Sequence, residues 1–378
     1  MQKAVAPSKT KIAYIDRLKV LMTILVILHH TFITYGAPGG WYFYQKTTNE
    51  IAKIPMTLFV AVNQSFFMGF FFFLSAYFMP SSLKKKGPEK FIADRIIRLG
   101  IPLVFYSFVL GPLMNYMIYY WGYGKHITLL QYISGYDNWI DFGVLWFVAA
   151  LLLFTLIYVG WNTLTPPNDD RPQKIKFRHI VLFAAGIGIV SFLVRLIFPL
   201  GWVLKPVGFQ LAYFPQYIAL FAAGILASKR KWPDSIADKQ GRSGLTLALL
   251  MVFVVFPILF IGVKVLKFPF DWFNGGWHWP AFVLALWEQL TGFGIIVALT
   301  AKGKRSWNNS SPFWDSLSRR AFAVYIFHPL LVISLTLVFF KWSIEPALKL
   351  LVVAPLAVAG SFLLASVLVL IPGVKRIV

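Results

Sequence analysis

Apolar runs of about twenty residues recur along this chain, separated by short polar breaks. Ten can be drawn, at roughly 18–36, 55–79, 99–121, 143–161, 179–198, 208–227, 245–266, 280–300, 321–340 and 347–371. Twenty helical residues rise about 30 Å, the thickness of a bilayer's hydrocarbon core. The pattern predicts an all-α membrane protein, a single polytopic bundle of about ten transmembrane helices. The expected organisation is an N-terminal segment at 1–17, a membrane domain at 18–371 and a tail at 372–378. Pro102, Pro112, Pro257 and Pro355 fall inside runs, which membrane helices tolerate better than soluble ones. The Pro-rich stretch at 165–174 reads as a linker, and no soluble domain stands out. No internal repeat is visible, which argues against a transporter built from repeats.

Composition agrees. Of 378 residues, 58% are hydrophobic and only 13% charged, too few to cover a soluble globule of this length. The formal net charge is +22, from 36 Lys and Arg against 14 Asp and Glu. Placement of that charge matters more than its size. If the N-terminus is cytoplasmic, the inner segments carry 26 Lys and Arg and the outer ones 6. The bias follows the positive-inside rule and predicts both termini in the cytoplasm of a multi-pass plasma (inner) membrane protein. It accounts for the positive charge through the lipid bilayer and calls for no nucleic acid. The basic start and first run could suggest a signal peptide, but no small-residue cleavage site follows. We read it as the first span. With no cysteine, there is no disulfide, thiol nucleophile or thiolate metal site.

Ionisable groups inside spans are costly and mark candidate sites. Lys19 and His30 are eleven residues apart in the first run. At 100° per residue they share a helix face, about 16 Å apart along the axis, and His29 points about 100° away. Lys19 could equally snorkel to the surface while the histidines sit near the outer end. A histidine is a candidate base near neutral pH. Arg95 and Arg98, at i and i+3, share a face at the start of the third run, suited to phosphate binding or to simple anchoring. Glu288 lies well inside the eighth run, at a depth that would let it orient His30 or pair with Arg195. His328, three residues after Tyr325, is placed about seven residues in from the cytoplasmic end of the ninth run, where the two could line a cytoplasmic passage. His126, His179 and His278 fall at run ends or breaks and receive no role. No zinc-protease, phosphate-loop or serine-hydrolase motif occurs, and no metal is expected.

Taken in order, these motifs resemble the acyltransferase-3 family of membrane acyltransferases. The resemblance rests on Lys19-x10-His30, the F-F-F-L-S-A-Y-F run, the F-x3-R-x2-R-x3-P that holds Arg95 and Arg98, L-W-F-V at 145–148, F-P-Q-Y-I-A-L-F-A-A-G-I at 214–225 and A-V-Y-I-F-H-P before and at His328. It covers about residues 12–371 and looks closest to the glucan-modifying branch. Two departures stand out: Lys19 where the family commonly has Arg, and Ser75-Ala76-Tyr77 where Ser-Gly-aromatic is usual. The resemblance implies O-acyl transfer from a cytoplasmic acyl-CoA, acetyl-CoA or succinyl-CoA, to a hydroxyl of a carbohydrate or glycan acceptor at the outer face. It implies His30 as general base, with Lys19 and Glu288 in the catalytic set. Arg95, Arg98, Tyr325 and His328 would then serve the acyl-CoA. Two other readings stay open: a flippase for a lipid-linked saccharide, independent of coenzyme A, and an unrelated membrane O-acyltransferase that needs a late histidine, His328, and tolerates loss of His30.

Overall fold

A computed structural model describes residues 13–165 and 171–377. The first twelve residues, including Lys3, Lys9 and Lys11 of the expected N-terminal segment, lie outside the described residues. So do 166–170 of the expected linker and Val378 of the expected tail.

Ten helices are long and apolar enough to cross a membrane: α1 (Ala13–Tyr35), α2 (Glu50–Lys86), α3 (Pro88–Gly122), α4 (Gly143–Leu164), α5 (Phe177–Arg195), α6 (Leu211–Arg230), α7 (Asp238–Val263), α8 (Trp279–Ser306), α9 (Pro312–Val338) and α10 (Pro346–Leu368). They coincide with the ten apolar runs, and the described residues form no strand beyond an isolated bridge between Leu204 and Phe209. The protein is therefore an all-α, multi-pass membrane protein. Several helices outrun their apolar cores. α2 continues through Lys84, Lys85 and Lys86, and α9 begins at Pro312, before Arg319 and Arg320. Hydropathy marks the segment in lipid, whereas the helix continues as long as its backbone bonds can be made.

The prolines show how the backbone adapts. Of the four π-helical turns among the described residues, three occupy Ile96–Gly100, Tyr106–Leu110 and Met251–Val255, and the fourth, Ile118–Gly122, closes α3. Each of the first three ends two residues before a proline: Pro102, Pro112 and Pro257. A proline removes one donor and crowds the carbonyl four residues back, here at positions 98, 108 and 253. The widened turn contains that carbonyl in all three cases, so the helix continues with its bonds re-registered.

α1 is the most enclosed span, with 61% of its apolar window buried, against 22% for α7. It packs on α9 and α10 and touches α2 and α8, while α8 packs against α5 and α7, and the middle of α2 against α6. Lipid offers no hydrophobic drive between helices, so close fit must hold them. At the α7–α8 crossing a Cβ on Gly244 would come 2.7 Å from the Gly294 carbonyl oxygen, so the two backbones touch through paired glycines. The bundle thus buries α1, and the His29–His30 pair near its C-terminal end lies inside the protein.

Candidate active site

His29 and His30 are adjacent, and helical phase separates their roles. His29 is 5% exposed. Its ring stacks on Phe67 at 4.8 Å. The Asn63 amide nitrogen donates to the Leu25 carbonyl at 3.1 Å and lies 3.2 Å from His29 Nδ1. The carbonyl can only accept, so that nitrogen is the amide's donor end, and its second hydrogen reaches His29 Nδ1 as acceptor. The His29 proton therefore sits on Nε2, and the residue ties α1 to α2.

His30 points elsewhere. Its ring stacks on Trp41 with centroids 4.2 Å apart, and on His328 with centroids 5.4 Å apart and planes 19° from parallel. Trp41 comes from the segment after α1, and His328 from α9. His30 is half-buried, and its buried Nδ1 makes no hydrogen bond. His328 is fully buried, and its Nδ1 lies 2.8 Å from the Tyr325 carbonyl oxygen. That carbonyl accepts, so Nδ1 carries the proton and Nε2 of the neutral ring carries the lone pair. His328 Nε2 is buried without a partner, as is the Trp41 indole N–H. Three stacked rings thus gather three buried nitrogens with unused hydrogen-bonding capacity. Buried polar groups are normally satisfied, and exceptions cluster where chemistry is done.

α9 starts nine residues before the apolar run drawn at 321, so His328 is sixteen residues into the helix but about seven into that run, and it faces His30. Tyr325 is occupied elsewhere. Its hydroxyl donates to the Val144 carbonyl and pins α9 to the start of α4.

Of the two partners open to Glu288 the structure shows Arg195, in a buried ion pair between α8 and α5, and the carboxylate makes no bond to His30. The Arg195 guanidinium also lies over the Tyr213 ring, 5.4 Å from its centroid. A second polar chain runs alongside: Gln216 donates to Gln289 at 2.9 Å and to the Ser65 carbonyl at 2.6 Å, and Gln64 donates to the Tyr217 hydroxyl at 3.2 Å. Asn63, Gln64 and Ser65 on α2 therefore connect the histidines to this cluster.

At the other end of α1, Lys19 lies 3.4 Å from Asp16 and 4.7 Å from the centroid of the Phe78 ring. Arg95 and Arg98 are close enough to act on it electrostatically. Arg95 is half-buried over Phe91, while Arg98 is exposed. The three cations expected from sequence thus gather at one end of the bundle. His30 and Lys19 share α1 as expected, about three turns apart. No group of His, Asp or Glu that could hold a metal occurs among the described residues.

Trp41 and Asn63 escape sequence reasoning. Trp41 is one of 14 tryptophans and carries no charge to single it out. Asn63 had a readable signal, since Asn63-Gln64-Ser65 interrupts the apolar run at 55–79.

No curated protein and no solved structure matches the chain. The acyltransferase-3 family, described as an acyltransferase domain, matches residues 12–366. That match takes in all ten spans but for the last two residues of α10, together with both histidines and the cation cluster, and so this chain belongs to the acyltransferase-3 family and is a membrane acyltransferase.

Proposed function

We propose that the enzyme moves an acetyl or succinyl group from acyl-CoA, bound at the Lys19–Arg95–Arg98 end, to a hydroxyl of a carbohydrate acceptor that enters near His30. The observation that carries this reading is the stack of His30, His328 and Trp41, with three unused polar atoms. His30 takes the proton of the acceptor hydroxyl as its oxygen attacks the thioester carbonyl. The tetrahedral oxyanion collapses, the C–S bond breaks and coenzyme A leaves as a thiolate that the imidazolium can protonate. General-base help of this kind contributes about 10²–10⁴-fold. The Trp41 indole N–H is a free donor beside His30 and suits the developing oxyanion. The charge bias of the loops supports a plasma-membrane orientation with both termini, and the cation cluster, in the cytoplasm.

The test incubates purified protein with labelled acetyl-CoA or succinyl-CoA and glycan acceptors. The expected result is acceptor-dependent release of free coenzyme A with label on the glycan. Glycan translocation without coenzyme A consumption would replace this reading with a flippase. Tags reporting residue 85 outside and residue 130 inside would reverse the orientation.

A further inference from the structure

Trp41 is the member of the histidine stack that no helix carries. Its segment returns to α1 at both ends. The Ala37 N–H donates to the Phe32 carbonyl at 3.0 Å, and the Gln45 N–H donates to the Thr34 carbonyl at 2.9 Å. Between these ties the bonding is local. The Trp41 N–H donates to the Tyr44 hydroxyl at 2.6 Å, and that hydroxyl donates to the Gly39 carbonyl at 3.2 Å. Local bonds shape the segment's own path. They do not fix how far its indole stands from a histidine on α1, so the stack needs a brace from another span.

Tyr42 is placed to be that brace. Its ring meets the Trp41 indole edge-on, with centroids 5.1 Å apart and planes 77° apart. Its hydroxyl pairs with the hydroxyl of Tyr106 on α3. Both hydroxyls lie within reach of the Val144 carbonyl, which also accepts from Tyr325. A carbonyl oxygen has two lone pairs. Tyr325 uses one, so one of the paired hydroxyls can donate to the other lone pair while accepting from its neighbour. Every hydroxyl proton of the three tyrosines then has an acceptor, and a fully satisfied buried network of this kind is rigid.

The backbone at the start of α4 is shaped to admit the Tyr42 hydroxyl. Gly143 has φ +43°, in the left-handed region that favours glycine. A Cβ there would overlap the Tyr42 hydroxyl and come 2.8 Å from that of Tyr106. The Gly143 N–H donates to the Asp141 carboxylate at 2.8 Å, and the Asp141 carbonyl accepts at 3.1 Å from Ser107, the neighbour of Tyr106 on α3. The turn runs straight into the L-W-F-V stretch at 145–148, which this places beside the seat of Tyr42. We propose that Tyr42 is a positioning residue for acyl transfer: seated against Tyr106, Gly143 and Val144, it holds the Trp41 indole on the His30 ring and keeps its N–H beside the reacting centre. This rests on the acyl-transfer reading above and adds what keeps the indole donor in place.

The test is a double-mutant cycle on the full-length protein, read as glycan-dependent release of coenzyme A from acetyl-CoA or succinyl-CoA. Tyr42→Phe keeps the ring and removes the anchoring hydroxyl. It should lower kcat about tenfold with donor KM little changed. Trp41→Phe keeps a ring on His30 and removes the indole N–H. It should lower kcat by about 10²-fold or more, the cost of losing one oxyanion donor. In the double variant Tyr42 has no indole N–H left to position, so kcat should match that of Trp41→Phe alone. A tyrosine that only stabilises the bundle would behave otherwise, and its loss would multiply with that of Trp41. Multiplying losses therefore overturn the proposal, and so does wild-type kcat in either single variant. If Tyr42→Phe fails to fold, Tyr106→Phe withdraws the same hydroxyl partner from the α3 side and is read through the same cycle. A wild-type protein that releases no coenzyme A with any glycan is a separate result, which removes the acyl-transfer reading and this role with it.

Discussion

His30 and His328 are 298 residues apart in sequence, yet their rings stack at 5.4 Å with planes 19° from parallel. α1 and α9 pack along their length, and each presents one basic ring to the other. The neighbouring His29 is held by Asn63 on a different side of α1. Two histidines adjacent in sequence therefore belong to different environments, and two distant ones share an environment.

The first prediction separates the adjacent pair. His30→Ala should lower kcat by about 10²–10⁴-fold while the protein stays folded, because the ring is half-buried and its Nδ1 bonds nothing. His29→Ala should act mainly on stability. It leaves the Asn63 amide short of an acceptor in a buried site, at a cost of about 1–3 kcal/mol. Acyl-transfer rates and thermal melts on both variants give the comparison. A His30→Ala enzyme with wild-type turnover would remove the base from the mechanism.

The helices were legible because a bilayer imposes one length and one composition on whatever crosses it. Nothing comparable marks where a helix ends in water, so the start of α9 at Pro312 was out of reach from hydropathy. The face shared by Lys19 and His30 was legible because both lie on one helix, where phase is arithmetic. Contacts between helices are not arithmetic. Glu288 had two partners open to it at matching depth, and only the packing of α5 on α8 selects Arg195. Trp41 was invisible for a related reason: its importance lies in what it stacks on, and the chain has many other aromatic rings.

His328 itself gives the second prediction. If it were part of a donor site near the cytoplasm, His328→Ala would raise KM for acyl-CoA. Its stacking on His30 instead predicts a fall in kcat of about tenfold or more, with donor KM little changed. Tyr325→Phe should lose only the bond to Val144, about 0.5–1.5 kcal/mol of stability, with a small effect on rate. Steady-state kinetics on both variants decide. A donor-KM effect alone in His328→Ala would return the residue to the acyl-CoA.

Glu288→Gln is the third case. Its partner Arg195 is fully buried, so removing the carboxylate charge strands a guanidinium inside the bundle. Breaking such a pair costs about 3–5 kcal/mol, so the variant should lose melting temperature and yield before any change at His30 is felt. Removing the cation as well, in Glu288→Gln with Arg195→Met, should restore part of that loss. A double variant no more stable than Glu288→Gln would show that the pair contributes little as a pair.

The last prediction concerns the cation cluster. Lys19, Arg95 and Arg98 converge from α1 and α3, and Arg98 is exposed. If they hold the phosphates of acyl-CoA, removing one should raise donor KM and leave acceptor KM alone. Arg95→Ala and Arg98→Ala test this directly. Lys19→Arg should keep activity, since the charge remains over the Phe78 ring, whereas Lys19→Ala should not. Salt supplies an independent check. The Debye length shrinks from about 10 Å at 0.1 M to about 3 Å at 1 M, so donor KM should climb with ionic strength. The climb should be shallower in the Arg98→Ala enzyme, which has already lost the most exposed of the three charges. Anchoring arginines would behave otherwise: they would change insertion and yield, and donor KM would stay flat across the salt series in every variant.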